Sequence, residues 1–277
     1  FGMSMGFVID SAIRRGAPAW KILLRRLAAL LVIGLLHSIL YPGEILRDYA
    51  VVGAILLPFV LKVPRSVRLV LGLLATVGAY AFTGGGELSL PGLFLLGSAA
   101  QAYGLPARLE HADRRIGAAT LVFAAASAAA IPWQAAEGGD PRFFTAGGVA
   151  GGLMACLYVC LLALLWRTPV RRALSAVFEP LGRMALTCYV TASVVMVPAG
   201  LLLDSRSTQD VIPGLIVAAA VLPIQWVFCR LWLSRFAYGP LEWVWRCITW
   251  WRWIPLQRPQ SKRLDPVSSA PTTAGMA

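Results

Sequence analysis

The Lys and Arg residues of this chain alternate between the two sides of a series of apolar stretches. That alternation narrows the possible folds more than any motif does. In chain order the basic clusters are Arg14, Arg15, Lys21, Arg25 and Arg26, then Lys62, Arg65 and Arg68, then Arg108, Arg114 and Arg115. Arg167, Arg171, Arg172 and Arg183 follow, and a last run extends from Arg230 to Arg263. The connections between these clusters hold only Arg47, Arg142 and Arg206, so all but three of the 25 basic residues fall on one side. Cations are costly to move across a bilayer and are retained in cytoplasmic loops. The pattern predicts an all-α, polytopic transmembrane helix bundle with a cytoplasmic C-terminus.

Composition agrees. A chain of 277 residues that is 58% hydrophobic and only 14% charged is too apolar for a soluble domain of that size. A net charge of +12 would point to nucleic acid in a soluble protein. Here the cations sit at the ends of apolar stretches, so the expected partners are the bilayer and its anionic lipids, with no nucleic acid. The five cysteines mostly lie in apolar stretches, which does not favour a disulfide framework, and they form no CxxC pair for zinc. With only two histidines, one of them (His111) in a loop without partner ligands, no metal site is expected.

A helix needs roughly 20 mainly apolar residues to cross a hydrocarbon core of about 30 Å. Eight stretches qualify: 22–40, 45–63, 67–82, 90–105, 116–135, 145–166, 184–203 and 211–232. The segments 67–82 and 90–105 are short for the task. The outer turns are Tyr41–Pro42–Gly43, Gly84–Gly85–Gly86, the loop around Gly138 to Pro141, and Asp204 to Asp210. Pro240 suits the first turn of a further helix, whose alternating Trp and Arg suit the membrane interface. Residues 1–256 thus form one transmembrane domain, and 257–277 read as a disordered cytoplasmic tail rich in Pro, Ser, Thr and Ala. The chain opens inside an apolar stretch, Phe1 to Ile9, without a signal-peptide pattern; it reads as starting partway down a helix, with earlier spans before it.

Ionisable groups at membrane depth are expensive and mark candidate sites. His37 and Tyr41 share one helix face and Glu44 and Asp48 share the next, so a two-residue turn would let imidazole and carboxylate meet in an outward-opening pocket. His37, Glu44 and Asp48 are therefore the catalytic candidates, since a carboxylate can fix the tautomer of a general-base histidine. The same residues also read as an interfacial cluster of Arg47, Asp48 and Glu44. On the other side, Arg183 could hold a phosphate bidentately, with Thr187 and Tyr189 beside it, or serve as an interfacial anchor. Glu179 lies four residues before Arg183, at ion-pair spacing, although Pro180 intervenes. Thr187, Tyr189 and Gln225 also suit interhelical hydrogen bonds.

Three stretches carry a resemblance. The first is Arg25–Arg26–Leu27 with Ile33–Gly34–Leu35–Leu36–His37, Gly43–Glu44–Ile45–Leu46 and Tyr49–Ala50. The second is Gly182–Arg183–Met184–Ala185–Leu186–Thr187 with Tyr189, and the third is Tyr238–Gly239–Pro240–Leu241–Glu242–Trp243 with Trp245–Arg246 and Pro255–Leu256. In order and spacing the chain resembles the YeiB-type family of bacterial inner-membrane proteins, a domain of unknown function. It departs from that pattern at Glu44, where Asp is usual, and at Cys188 and Ala192, where amides are usual. The family in turn resembles transmembrane acyltransferases. That resemblance implies a multi-pass inner-membrane protein moving an acyl group from cytoplasmic acyl-CoA, a co-substrate rather than a covalently bound cofactor, to an envelope or outer-face acceptor. In those acyltransferases the catalytic His lies in an outer loop nearer the N-terminus, so His37 does not inherit the role. A transporter of small amphipathic molecules, with its last two helices broken at Pro198, Pro213 and Pro223, and a non-catalytic membrane scaffold are the alternatives.

Overall fold

The computed structural model describes residues 1–111, 114–138, 144–202 and 211–257. Arg142, Arg206, Asp113, most of the two longer outer loops and nearly all of the tail lie outside the described residues. Twelve α-helices occur among the described residues: α1 (Gly2–Arg14), α2 (Ala19–Ser38), α3 (Leu46–Lys62), α4 (Arg65–Thr83), α5 (Leu90–Ala102), α6 (Leu105–Glu110), α7 (Arg114–Glu137), α8 (Thr145–Leu165), α9 (Arg171–Arg183), α10 (Ala185–Leu202), α11 (Val211–Arg235) and α12 (Pro240–Trp250). All eight expected stretches are helical.

Among the described residues five helices are, by length and composition, long and apolar enough to cross a membrane: α4, α7, α8, α10 and most of α11. Large apolar side chains cover their outer faces, among them Leu74 and Val77 on α4, Leu121 and Val122 on α7, and Ile216 and Ile224 on α11. A soluble monomer rarely exposes so continuous an apolar surface, whereas lipid covers it without cost. The other three expected spans differ. The uncharged part of α2 begins only after Arg26, and α3 has 17 residues. At 13 residues α5 rises only about 20 Å, short of the hydrocarbon thickness. It is a wedge instead: Phe94, Leu95, Ser98 and Ala99 are buried against its neighbours. Segment 67–82, short in the sequence reading, gains a turn and becomes the 19-residue α4.

The core lies among α1, α2, α3 and α5, where Met5, Leu23, Leu56, Leu57, Phe94 and Leu95 pack together. Glycines let α4 and α5 approach closely. A Cβ at Gly92 would meet the Thr76 side chain and lie 3.0 Å from the Gly72 carbonyl oxygen. Gly84 ends α4 in the left-handed region at φ 69°.

Contacts sort the connections into two groups. The basic clusters meet one another: Arg15, Arg25 and Arg26 lie over Trp250, Trp251 and Trp245, Arg65 lies over Tyr103, and Arg183 donates to the Ala237 carbonyl. Glu110 and His111 line one cavity with Arg167 and Arg171. At the opposite ends, Ile45, Gly84 to Glu87 and Gly147 to Gly152 share a second cavity, and Ala146 N–H donates to Glu137. The alternation read from charge is thus an alternation in space.

Three expectations need correction. The turn between the first two spans is longer than two residues, since connection 39–45 separates α2 from α3. α9 runs through Pro180 to Arg183, and the Glu179–Arg183 ion pair is not formed, because the guanidinium turns to Ala237. α10 and α11 are continuous through Pro198, Pro213 and Pro223, so neither breaks there.

Candidate functional site

Connection 39–45 carries the chain back across the top of α2. The carboxylate of Glu44 accepts a hydrogen bond from the Leu46 backbone amide at the entry to α3, and it faces Nδ1 of His37 in a close pair. Both residues are buried, at 5% and 3% exposure. A third residue joins them from far along the chain: the Tyr189 hydroxyl donates to Glu44 Oε2 at 3.4 Å, and its ring centroid lies 5.1 Å from that of His37. His37 Nε2 is buried and has no hydrogen-bond partner among the described residues. An imidazole held through Nδ1 by a carboxylate, with Nε2 left over, is equipped to accept a proton there.

The sequence reading brought His37 and Glu44 together correctly, but not in an outward-opening pocket. They are buried, with Tyr189 of α10 against both and Tyr41 beside the imidazole. Asp48 is not part of this group. It pairs instead with Arg47 at 3.2 Å, in a half-exposed position.

Two residues earlier on α10 a second polar group begins. Glu242 of α12 grips Thr187 twice, accepting from its backbone N–H at 2.9 Å and its hydroxyl at 2.6 Å, and Thr187 Oγ1 accepts from the Leu241 N–H at 3.2 Å. Pro240 at the first turn starts α12 so that Glu242 faces α10. Trp245, one turn on, donates from its indole to the Arg26 carbonyl at 2.9 Å, while the Arg26 guanidinium lies 3.6 Å from its ring centroid. The helix expected after Pro240 therefore exists, and it is docked onto α2 and α10. Thr187 and Tyr189 are engaged by Glu242 and Glu44, which leaves Arg183 as the member of the Arg183, Thr187 and Tyr189 set that lines a cavity.

That cavity, of about 420 Å³, lies between α1, α2 and α12. Arg26, Arg183 and Arg246 supply its cations, Trp245 and Trp250 its aromatic faces, and Ser4 and Ser11 its hydroxyls. Arg26 donates to Ser4 Oγ at 3.1 Å and keeps a buried Nε without a partner among the described residues. Glu242 is the lone acid on the wall, and both its oxygens are already taken by Thr187. The net field in the cavity favours an anion, and planar guanidiniums beside indole rings suit a phosphate next to an aromatic base. Arg26, Arg246, Glu242 and the Trp residues were not read from the sequence as site residues. Only the Trp–Arg alternation hinted at them. The described residues hold no group of three His, Cys, Asp or Glu able to bind a metal.

One further pair escaped the sequence reading. Cys188 and Cys229 bring their Sγ atoms to 3.3 Å between α10 and α11. Beside them Gln225 donates to the Cys188 carbonyl at 2.8 Å and to Thr191 Oγ1 at 3.0 Å, the interhelical bonding expected of it.

Fold and site define a membrane-type helical protein with a buried His–Glu pair linked through α10 to an arginine-lined cavity. The chain belongs to the family described as a protein of unknown function, DUF418, whose model matches residues 104–252, just over half the chain. The match takes in Arg183, Thr187, Tyr189 and Glu242 and begins after His37 and Glu44. Two relatives extend further. An uncharacterized 39.9 kDa protein encoded in an amylase 3' region of Bacillus acidopullulyticus is 28% identical over 92% of this chain and 79% of its own length. The uncharacterized protein YxaH of Bacillus subtilis is 28% identical over 93% of this chain and 79% of its own length. No solved structure matches the chain.

Proposed function

We propose that this chain is a membrane acyltransferase of the bacterial inner membrane, taking an acyl group from cytoplasmic acyl-CoA and passing it to an envelope or outer-face acceptor. The observation that carries the reading is the arginine and tryptophan cavity, joined to a buried His–Glu pair by α10, whose Thr187 bonds Glu242 on the cavity wall and whose Tyr189 bonds Glu44. The nucleotide phosphates of the donor match Arg26, Arg183 and Arg246, and the adenine matches the indole faces. Arg26 and His37 stand eleven residues apart on α2, roughly 16 Å along the helix, which the extended pantetheine arm of the donor can bridge.

His37 Nε2 would take the proton of the acceptor hydroxyl as that oxygen attacks the thioester carbonyl carbon. The C–S bond then breaks, the acyl group stays on the acceptor oxygen, and the CoA thiolate leaves and recovers a proton. Glu44 keeps Nδ1 protonated throughout and stabilises the imidazolium while it lasts.

The test uses the full chain in nanodiscs, with CoA binding and acyl-CoA turnover measured separately. Arg183→Ala should weaken CoA binding by about tenfold, the effect of losing one charged phosphate contact. His37→Ala should abolish turnover and leave CoA binding unchanged. Failure of the unaltered protein to bind CoA, or uptake of an amphipathic solute without acyl-CoA, would overturn the reading.

A further inference from the structure

A different part of the surface has the chemistry of a lipid site, and it shares no residue with the arginine cavity described above. α8 ends at Leu165, the chain turns through Trp166 to Val170, and α9 starts at Arg171. α6 packs into this corner. Between them lies a cavity of about 830 Å³ lined by Glu110, His111, Trp166, Arg167, Arg171 and Arg172, among others. Three guanidiniums face one carboxylate, so the field there is positive. Arg171 and Arg172 stand in the first turn of α9, whose amides are taken by the Thr168 and Pro169 carbonyls, so the attraction for an anion comes from the side chains. The Arg171 guanidinium lies 5.0 Å from the Trp166 ring centroid, which restrains it at the mouth.

A second feature adjoins it. Leu109, Val159, Leu162 and Ala163 line an apolar groove of about 280 Å³, and Glu110 and Trp166 belong to both walls. The groove and the basic cavity therefore share a wall. The groove runs along α8, one of the five helices long and apolar enough to cross a membrane, and Val159 and Leu162 are exposed there. A free phosphate would use the arginines and ignore the groove. A zwitterionic lipid would use the groove and gain little from the arginines. An anionic glycerophospholipid uses both, with its phosphate at Arg167, Arg171 and Arg172 and an acyl chain against Leu109, Val159 and Leu162.

We propose that the corner formed by α6, the end of α8 and the start of α9 is a binding site for an anionic phospholipid of the bilayer. The site follows from the membrane character of the chain and is independent of the acyltransferase reading.

The test is native mass spectrometry of the purified full chain titrated with phosphatidylglycerol, with phosphatidylcholine and inorganic phosphate in parallel. The unaltered chain should retain phosphatidylglycerol in preference to phosphatidylcholine, and inorganic phosphate should not displace it. Arg171→Gln with Arg172→Gln should weaken retention by about fivefold per arginine, the effect of about one such charge near a membrane surface. Leu162→Trp should also weaken it, by filling the groove while leaving every cation in place; Leu162 faces outward, so this variant tests the groove even if the arginine variant fails to fold. A photoreactive phosphatidylglycerol should crosslink within 159–172 or at 109–111. Equal retention of both lipids, displacement by inorganic phosphate, unchanged binding by Leu162→Trp, or crosslinks confined to other helices would overturn the proposal.

Discussion

Glu44 holds three groups at once: the imidazole of His37, the Leu46 amide and the Tyr189 hydroxyl. Removing it leaves all three facing a buried gap, and breaking a buried pair from one side costs several kcal/mol. Glu44→Ala should therefore destabilise the protein by about 3 kcal/mol, seen as a lower thermal midpoint in detergent. Glu44→Asp, shorter by one methylene, should recover part of that loss. A Glu44→Ala protein that melts with the unaltered one would mean the carboxylate holds nothing together. Much of this group was legible, because His37 and Glu44 are seven residues apart and one turn had to bring their helices side by side. Tyr189 was not legible as their partner. It lies 145 residues beyond Glu44, and nothing local says which helix will cover a polar pair.

Periodicity and punctuation located the helices well, because apolar runs, prolines and glycines act within a few residues of themselves. α12 shows the limit of such reading. Pro240 announced its start and its Trp–Arg alternation suggested the membrane interface, but its docking onto α2 and α10 left no local signal. The sequence could not reveal that Glu242 would seek Thr187 or that Trp245 would cover Arg26, since both pairings depend on how α2 and α10 are placed. The docking should rest on these two contacts. Thr187→Val removes a hydroxyl that both donates and accepts, at a cost of about 1 kcal/mol for an interhelical bond. Trp245→Ala removes the indole bond and the ring over Arg26, and the larger lost area should make it the more damaging change. Both variants should expose Arg246 to trypsin sooner than in the unaltered protein, Trp245→Ala most of all. Cleavage at an unchanged rate would show that α12 is held by something else.

Across the whole molecule, the charge alternation and the three-dimensional contacts report the same division. Connections carrying the basic clusters touch each other through Arg–Trp stacks and shared cavities, and among the described residues the cation-poor ends of α3, α4 and α8 gather at the other end around Ile45, Gly84 and Gly148. Five helices long enough to cross a bilayer join the two ends, and α2, α3 and the shorter, buried α5 run between the same ends. The sequence reading set eight spans where five helices are long and apolar enough by length and composition, because apolar content alone does not separate a buried helix such as α5 from a lipid-facing one. The energetic asymmetry behind the alternation makes a definite prediction about orientation, since arginine is retained on the cytoplasmic side. In a background without the native cysteines, Thr168→Cys on the α8–α9 corner should react with a membrane-impermeant maleimide only after cells are permeabilised. Pro42→Cys, in connection 39–45 between α2 and α3, should react in intact cells. Both residues lie outside the helices, so neither label depends on disturbing the packing. The reverse pattern would invert the bundle, put the arginine cavity on the side that lacks acyl-CoA, and remove the donor from the proposed reaction. Labelling of both positions from the same side would break the link between charge and crossing altogether.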